Sequence, residues 1–171
     1  MKVTLFMSMS VNGIIARENN EEDFLSDSNW KTFLRLAKVH GCFVIGRKTY
    51  EVVKSLYKDY NFNDVKSRKI VVTRNKEFGA DGFITASSPH DAIEKAKKEG
   101  FKSVILTGGS TLNSAFMKEN LIDEIILNVE PAVIGNGIKL FAEGGFEKRL
   151  KLLGTKKLTV NIIQLHYRVV K

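Results

Sequence analysis

The chain has 171 residues, with 27 Lys and Arg against 19 Asp and Glu and a formal net charge of +8. Its 43% hydrophobic content and two prolines exclude disordered, collagen-like and low-complexity classes, and its one cysteine excludes an internal disulfide framework. The expectation is one compact domain over residues 1–171, and the excess of positive charge points to a polyanionic partner, either nucleic acid or a smaller phosphorylated molecule.

The apolar run Val3–Met9 predicts a first strand. From Ser10 to Asp23 the composition is that of a loop, apart from Ile14-Ile15-Ala16, and a long loop in a compact domain is often a functional cover. Trp30, Phe33, Leu34 and Ala37 then fall at i, i+3, i+4 and i+7, with Asp27 and Ser28 as capping candidates in front and Gly41 behind. That spacing predicts an amphipathic helix.

Cys42–Ile45 reads as a fully buried strand closed by Gly46, followed by a short helix from Thr49 to Leu56. Residues 57–68 read as a tyrosine-rich surface connection. A third strand is predicted at Lys69–Thr73, a basic turn at Arg74-Asn75-Lys76, and a short fourth strand at Gly82–Thr85. Pro89 suits a first helical turn, and Ala92, Ile93 and Ala96 make the inner face of a helix stopping at Gly100. Val104–Thr107 is a strand running into Gly108-Gly109-Ser110-Thr111 and a helix to Lys118. Glu124–Val129 and a long alternating stretch, Leu158–Val170, complete the strands, while the lysines of 148–157 read as solvated surface. Strand–helix alternation with an antiparallel end predicts an α/β fold: a mixed, mainly parallel sheet with helices on its faces.

In such sheets ligands bind at the carboxyl ends of the strands, where helix N-termini offer backbone N–H groups to anions. Two glycines at Gly108-Gly109 let the backbone approach a phosphate and Ser110 and Thr111 can donate to it, although two glycines also make a tight turn before a helix. At Gly46-Arg47-Lys48-Thr49 two cations oppose a helix dipole, a conflict relieved either by a bound anion or by extension into solvent. Thr73-Arg74-Asn75-Lys76 is a third basic strand end. Three such ends fit one extended polyphosphate.

Neither the P-loop nor the Rossmann fingerprint is present, because Arg47 breaks the spacing of the first and Gly135-Asn136-Gly137 lies far from the first strand. His40, His90 and His166 lack ligand spacing, so no metal is expected, and no serine or cysteine sits in a nucleophile elbow. Hydride transfer suits this absence, since the cofactor carries the chemistry. With no basic helix and no aromatic-studded RNA motif, nucleic acid is the weaker reading. No stretch approaches the roughly 20 apolar residues of a membrane span, and the N-terminal run is too short for a signal peptide. With Cys42 read as a small buried hydrophobe, the expectation is a cytoplasmic protein without a membrane partner.

Four segments in order resemble the dihydrofolate reductase-like superfamily, which includes the reductase domain of riboflavin-pathway deaminase-reductases. Met9-Ser10-Val11-Asn12-Gly13-Ile14-Ile15-Ala16 is similar to the family's M-S-x-D-G-x-I-A loop, and Val44-Ile45-Gly46-Arg47-Lys48-Thr49-Tyr50-Glu51 to V-x-G-R-x-T-[WY]-E. Leu106-Thr107-Gly108-Gly109-Ser110-Thr111-Leu112 resembles the G-G-x-x-L element, and Leu121-Ile122-Asp123-Glu124 through Pro131, Gly135 and Phe141 the riboflavin-type ending.

The resemblance implies an NADPH-dependent reductase with about eight strands, acting on a small pterin-like or pyrimidine-like heterocycle; the riboflavin-type alternative acts on a ribosylaminopyrimidine phosphate. It implies that Gly108, Gly109, Ser110, Thr111 and Leu112 hold the cofactor pyrophosphate with Gly46, Lys48 and Thr49, and that Arg47, Arg74 and Thr73 meet the 2′-phosphate. Ile15 and Ala16 would lie along the nicotinamide under a cover formed by Asn12–Asp23. Direct spacing puts Trp30 where dihydrofolate reductases carry a helical acid, which leaves Asp27 as the nearest carboxylate, either a proton donor or a helix cap. Asn12 stands for the family's aspartate and Asn128 for a usual threonine, and both are expected at the substrate. The riboflavin-type resemblance further implies a homodimer.

Overall fold

The computed structural model describes residues 1–56, 62 and 65–171. Most of the expected surface connection at 57–68 therefore lies outside the described residues. Among the described residues, ten strands and four helices follow in chain order: β1 Lys2–Ser10, β2 Ile14–Ala16, α1 Asp27–His40, β3 Cys42–Gly46, α2 Arg47–Leu56, β4 Arg68–Val72 and β5 Ile84–Ala86. Then come α3 Pro89–Lys98, β6 Ser103–Leu106, α4 Ser110–Lys118, β7 Glu124–Glu130, β8 Ile138–Lys139, β9 Leu150–Lys157 and β10 Ile163–Val169.

Eight strands form one sheet in the order β5-β4-β3-β6-β1-β7-β10-β9. The first six are mutually parallel, and β10 runs antiparallel to both β7 and β9. The central strands are buried on both faces, which is why they read as continuous apolar runs. Alternation divides them between two cores. Val3, Leu5, Val44, Ile70 and Leu106 pack with Ala92, Ile93 and Ala96 of α3 and with Leu112 and Phe116 of α4. Phe6, Phe43, Ile45, Ile105 and Ile126 face the other way and pack with Phe33, Leu36 and Ala37 of α1. Phe33 and Phe43 meet edge to face with ring centroids 5.1 Å apart. This is the single α/β domain that the alternation predicts.

Several details differ from the sequence reading. The stop of α1 is as expected, with Gly41 at φ 72° and its N–H donating to Ala37, but the N-cap is Ser26, one residue before the expected candidates. Its hydroxyl accepts from the Ser28 amide, so Asp27 becomes the first helical residue. The buried stripe runs through Thr32, Phe33, Leu36 and Ala37, while Leu34 turns outward at 37% exposure, because the stripe wraps one residue further round the helix than the i, i+4 match implies.

Ile14–Ala16, the apolar exception within the expected loop, is a short strand paired antiparallel with β8. The long alternating stretch at the end divides: Leu158 N–H donates to the Ile162 carbonyl, closing a turn between β9 and β10. The lysine-rich segment before it is thus a strand, exposed along its whole length at the edge of the sheet. Its charges are a common protection for a free sheet edge.

Candidate active site

The strands β3 and β6 are neighbours, yet their helices leave in opposite directions, α2 towards β4 and α4 past β1 towards β7. A crevice opens at the carboxyl ends of strands where connections diverge in this way. Here it is a cleft of about 880 Å³.

Backbone hydrogen bonds fix the cleft floor. Thr107 N–H donates to Val44 O at 3.0 Å and Gly46 N–H to Gly108 O at 2.8 Å, so the two helix starts are held side by side. Gly108 adopts φ 84°, and a Cβ there would come within 3.0 Å of Met7 Sδ. At Gly109 a Cβ would stand 3.1 Å from Thr49 Oγ1, so the missing side chain leaves this wall of the cleft open. The N-terminus of α4 has no side-chain cap, and neither α4 nor α2 carries an acidic residue in its first turn. Exposed helix N–H groups with no competing carboxylate make a phosphate cradle.

Most of the residues expected at the cofactor gather on this cleft. Gly46, Arg47, Lys48, Thr49, Thr73, Arg74, Gly109, Ser110, Thr111 and Leu112 line it, with Gly108 beneath. Arg47 is engaged: its Nη1 contacts both oxygens of Glu51 at 2.7 and 3.0 Å. Thr73 Oγ1 accepts from the Asn75 amide at 3.1 Å, which shapes the turn that carries exposed Arg74.

The other end of the cleft is a chamber built by β1, β2, α1 and the loop between them. Ile15 and Ala16 line it, held by the β2–β8 clasp. That clasp depends on Gly137, where a Cβ would meet Ile14 Cγ2 at 2.5 Å and Ala16 O at 2.6 Å. Trp30, Phe33, Leu25 and Val53 give the chamber apolar walls, and Ser8 Oγ donates to Asn29 Oδ1 at 3.0 Å, tying β1 to α1.

Three expected residues are not brought to the cleft. Asp27 lies exposed in the first turn of α1 and does not line it. Asn12 instead staples the chain: its Nδ2 donates to Ile134 O at 2.7 Å, and its Oδ1 accepts from Ile134 N–H at 3.1 Å. Asn128 is wholly buried beneath α1, accepting from Gln164 Nε2 at 2.8 Å and donating to Thr32 Oγ1 at 3.3 Å. These two amides hold loops and helix in register.

The family model of the RibD C-terminal domain matches residues 1–164. The chain belongs to that family. The uncharacterised protein YwjB of Bacillus subtilis (strain 168) is 32% identical over 174 residues, covering 97% of each chain. Among solved structures, a Shewanella sp. PV-4 protein provisionally named for riboflavin biosynthesis superposes over 100% of both chains with a TM-score of 0.83 at 21% identity. Dihydrofolate reductase from Enterococcus faecalis, complexed with NADP(H) and RAB-propyl, superposes with a TM-score of 0.80 at 16% identity, over 99% of this chain and 97% of its own. The fold is dihydrofolate reductase-like, and family and fold together support an oxidoreductase of the riboflavin-pathway reductase type. No helix among the described residues is long and apolar enough to cross a membrane.

The sequence reading missed the carboxylate that does line the chamber, Glu22. It sits in the run Arg17-Glu18-Asn19-Asn20-Glu21-Glu22, whose composition signals only solvated loop. A bidentate ion pair folds that loop back, Arg17 Nε and Nη2 donating to Asp23 at 2.5 and 3.0 Å, and Arg17 N–H donates to Glu21 O at 2.8 Å. The turn presents Glu22 inward beside Leu25, and burial pushes its carboxyl up to about 7. That value suits a proton donor at neutral pH.

Proposed function

We propose that the protein is an NADPH-dependent reductase transferring a hydride to a C=N or C=O bond of a small heterocycle. The observation that carries this reading is one continuous cleft, lined by the starts of α2 and α4 and by the apolar side chains of Ile15, Ala16 and Trp30. The uncapped α4 N-terminus and the space kept at Gly109 fit a dinucleotide pyrophosphate. Gly108 through Leu112 would hold it with Gly46, Lys48 and Thr49, and Arg74, Thr73 and Arg47 would meet an adenosine 2′-phosphate. When bound, the cofactor supplies the hydride. The chain's own residues orient the ring along Ile15 and Ala16, exclude water with Trp30 and Phe33, and hold the two helix starts at a fixed spacing.

Two further parts of the reading concern assembly and location. The exposed edge strand β9, with Leu150 and Leu152 outward, supports a homodimer, and a single buried cysteine supports the cytoplasm. Size-exclusion chromatography with light scattering tests the first.

The main test is NADPH titration by calorimetry, with NADH in parallel, followed by loss of nicotinamide absorbance against a panel of pterins, pyrimidines and the ribosylaminopyrimidine phosphate. Saturable NADPH binding tighter than NADH is expected. An absence of any NADPH binding rejects the reading.

A further inference from the structure

The sequence holds the pair Asn-Gly twice, at Asn12-Gly13 and at Asn136-Gly137, and the fold brings both to the β2–β8 clasp. The first pair stands just ahead of β2 and the second just ahead of β8. Asparagine followed by glycine is chemically unstable, because the glycine nitrogen can attack the side-chain amide carbon and no Cβ on the glycine hinders the approach. Whether the reaction runs depends on how firmly each side chain and the amide after it are held.

The two pairs are held very differently. Asn12 uses both ends of its amide: Nδ2 donates to Ile134 O at 2.7 Å, while Oδ1 accepts from Ile134 N–H at 3.1 Å and from Ser10 Oγ at 2.7 Å. The Gly13 N–H, which would be the nucleophile there, donates to Ser10 O at 3.0 Å. Asn136 is exposed, and its side chain has no hydrogen-bond partner among the described residues. Gly135 before it borders open space, with nothing within 4 Å of where a Cβ would stand. Gly137 after it is the tightest point of the clasp, where an added carbon meets Ile14 Cγ2 at 2.5 Å and Ala16 O at 2.6 Å. A free asparagine thus adjoins the backbone position of the clasp with least room to move.

We propose that Asn136 is a site of spontaneous deamidation, and that its isoaspartate product opens the β2–β8 clasp and so loosens one wall of the cleft as the protein ages. The Gly137 nitrogen gives up its proton to solvent and bonds to Asn136 Cγ; the bond from Cγ to Nδ2 breaks, and the nitrogen leaves as ammonia. Water then opens the cyclic imide at either carbonyl, giving aspartate or isoaspartate. In isoaspartate the main chain runs through Cβ and Cγ, which lengthens it by one carbon–carbon bond of about 1.5 Å. Gly137 cannot absorb that displacement in place. The strain falls on the pairs Ala16–Ile138 and Ile14–Lys139, and with them on Ile15 and Ala16, which line the cleft. The new carboxylate itself stands at an exposed position, where a change of charge alone has little effect on the fold. The inference needs no bound cofactor and is independent of the reductase reading.

The full chain, incubated at mildly alkaline and in parallel at mildly acidic pH, is sampled over time by peptide mapping with mass spectrometry, and isoaspartate is counted by enzymatic methylation. Asn136 should convert about tenfold or more faster than Asn12, which must first break its hydrogen bonds to Ile134. Conversion should be faster at the alkaline pH, because the attacking amide must lose its proton. Hydrogen exchange of peptides covering β2 reads the clasp. Exchange there should speed up in the aged parent. It should stay at the fresh level in aged Asn136→Gln, whose longer side chain closes a ring poorly, and in fresh Asn136→Asp, which has the charge on an ordinary backbone. An Asn136 that stays intact, or converts no faster than Asn12, overturns the site. Converted parent whose β2 exchange matches aged Asn136→Gln overturns the opening of the clasp.

Discussion

The Gly46 amide donates to the Gly108 carbonyl oxygen at 2.8 Å, joining two loops 62 residues apart in sequence. This one bond sets the spacing between the first turns of α2 and α4, the two backbone donors of the cleft. Gly108 sits at φ 84°, and its carbonyl is committed to β3 by this bond.

Gly109→Ala tests the cradle. The added Cβ lies 3.1 Å from Thr49 Oγ1, so either the hydroxyl or the loop shifts by a few tenths of an ångström. NADPH affinity measured by calorimetry should fall about tenfold with little change in thermal midpoint, because overpacking here distorts a surface cleft and not the core.

Arg74→Ala tests cofactor choice. Arg74 is exposed on its turn, whereas Arg47 is held by Glu51. A charge-assisted contact to a 2′-phosphate is worth roughly 1.5–3 kcal/mol, so NADPH binding should weaken by about tenfold or more while NADH binding stays level. A parallel loss for both cofactors would move Arg74 away from the 2′-phosphate.

Ser26→Ala and Asp27→Asn separate cap from acid. Ser26 Oγ accepts from Ser28 N–H at 3.3 Å and donates to Glu130 Oε1 at 3.0 Å, and Glu130 is only 1% exposed. Removing the hydroxyl leaves a buried carboxylate short of a donor and should cost about 1–3 kcal/mol in urea unfolding. Asp27→Asn should cost at most about 1 kcal/mol through the helix dipole and leave substrate turnover unchanged.

Glu22 predicts a pH dependence of stability. Its carboxyl is raised from an ordinary 4.5 to about 7 by burial, so the folded state keeps a proton that the unfolded chain releases between those values. Stability attributable to this group is therefore full below about pH 4.5 and is lost as pH rises through 7. Glu22→Gln should remove that loss, making the variant more stable than the parent by roughly 1–3 kcal/mol at pH 8 and nearly equal to it at pH 4.5. Denaturant midpoints for both proteins across this range check it.

Local chemistry in the sequence determined the strands of the main sheet through β7, the helices with their Gly41 and Pro89 signals, and the part of the cleft at the starts of α2 and α4. In each case the deciding residues are adjacent in the chain: a buried run, a glycine, then a helix start. The residues at the other end of the cleft come from segments far apart, and tertiary structure alone selected them. Asn12 and Asn128 have the right chemistry for a ligand, but long-range partners at Ile134 and Gln164 take up their amides. Asp27 is one residue off the cap and faces solvent, because Ser26 reaches Glu130 on β7. Glu22 is drawn from a charged loop into the chamber by the Arg17–Asp23 pair and by the β2–β8 clasp that anchors the start of that loop, contacts which no local pattern announces. The net charge of +8 likewise says only that anions are welcome; the fold gathers Arg47, Lys48 and Arg74 on one cleft that Glu22 and Glu119 also line.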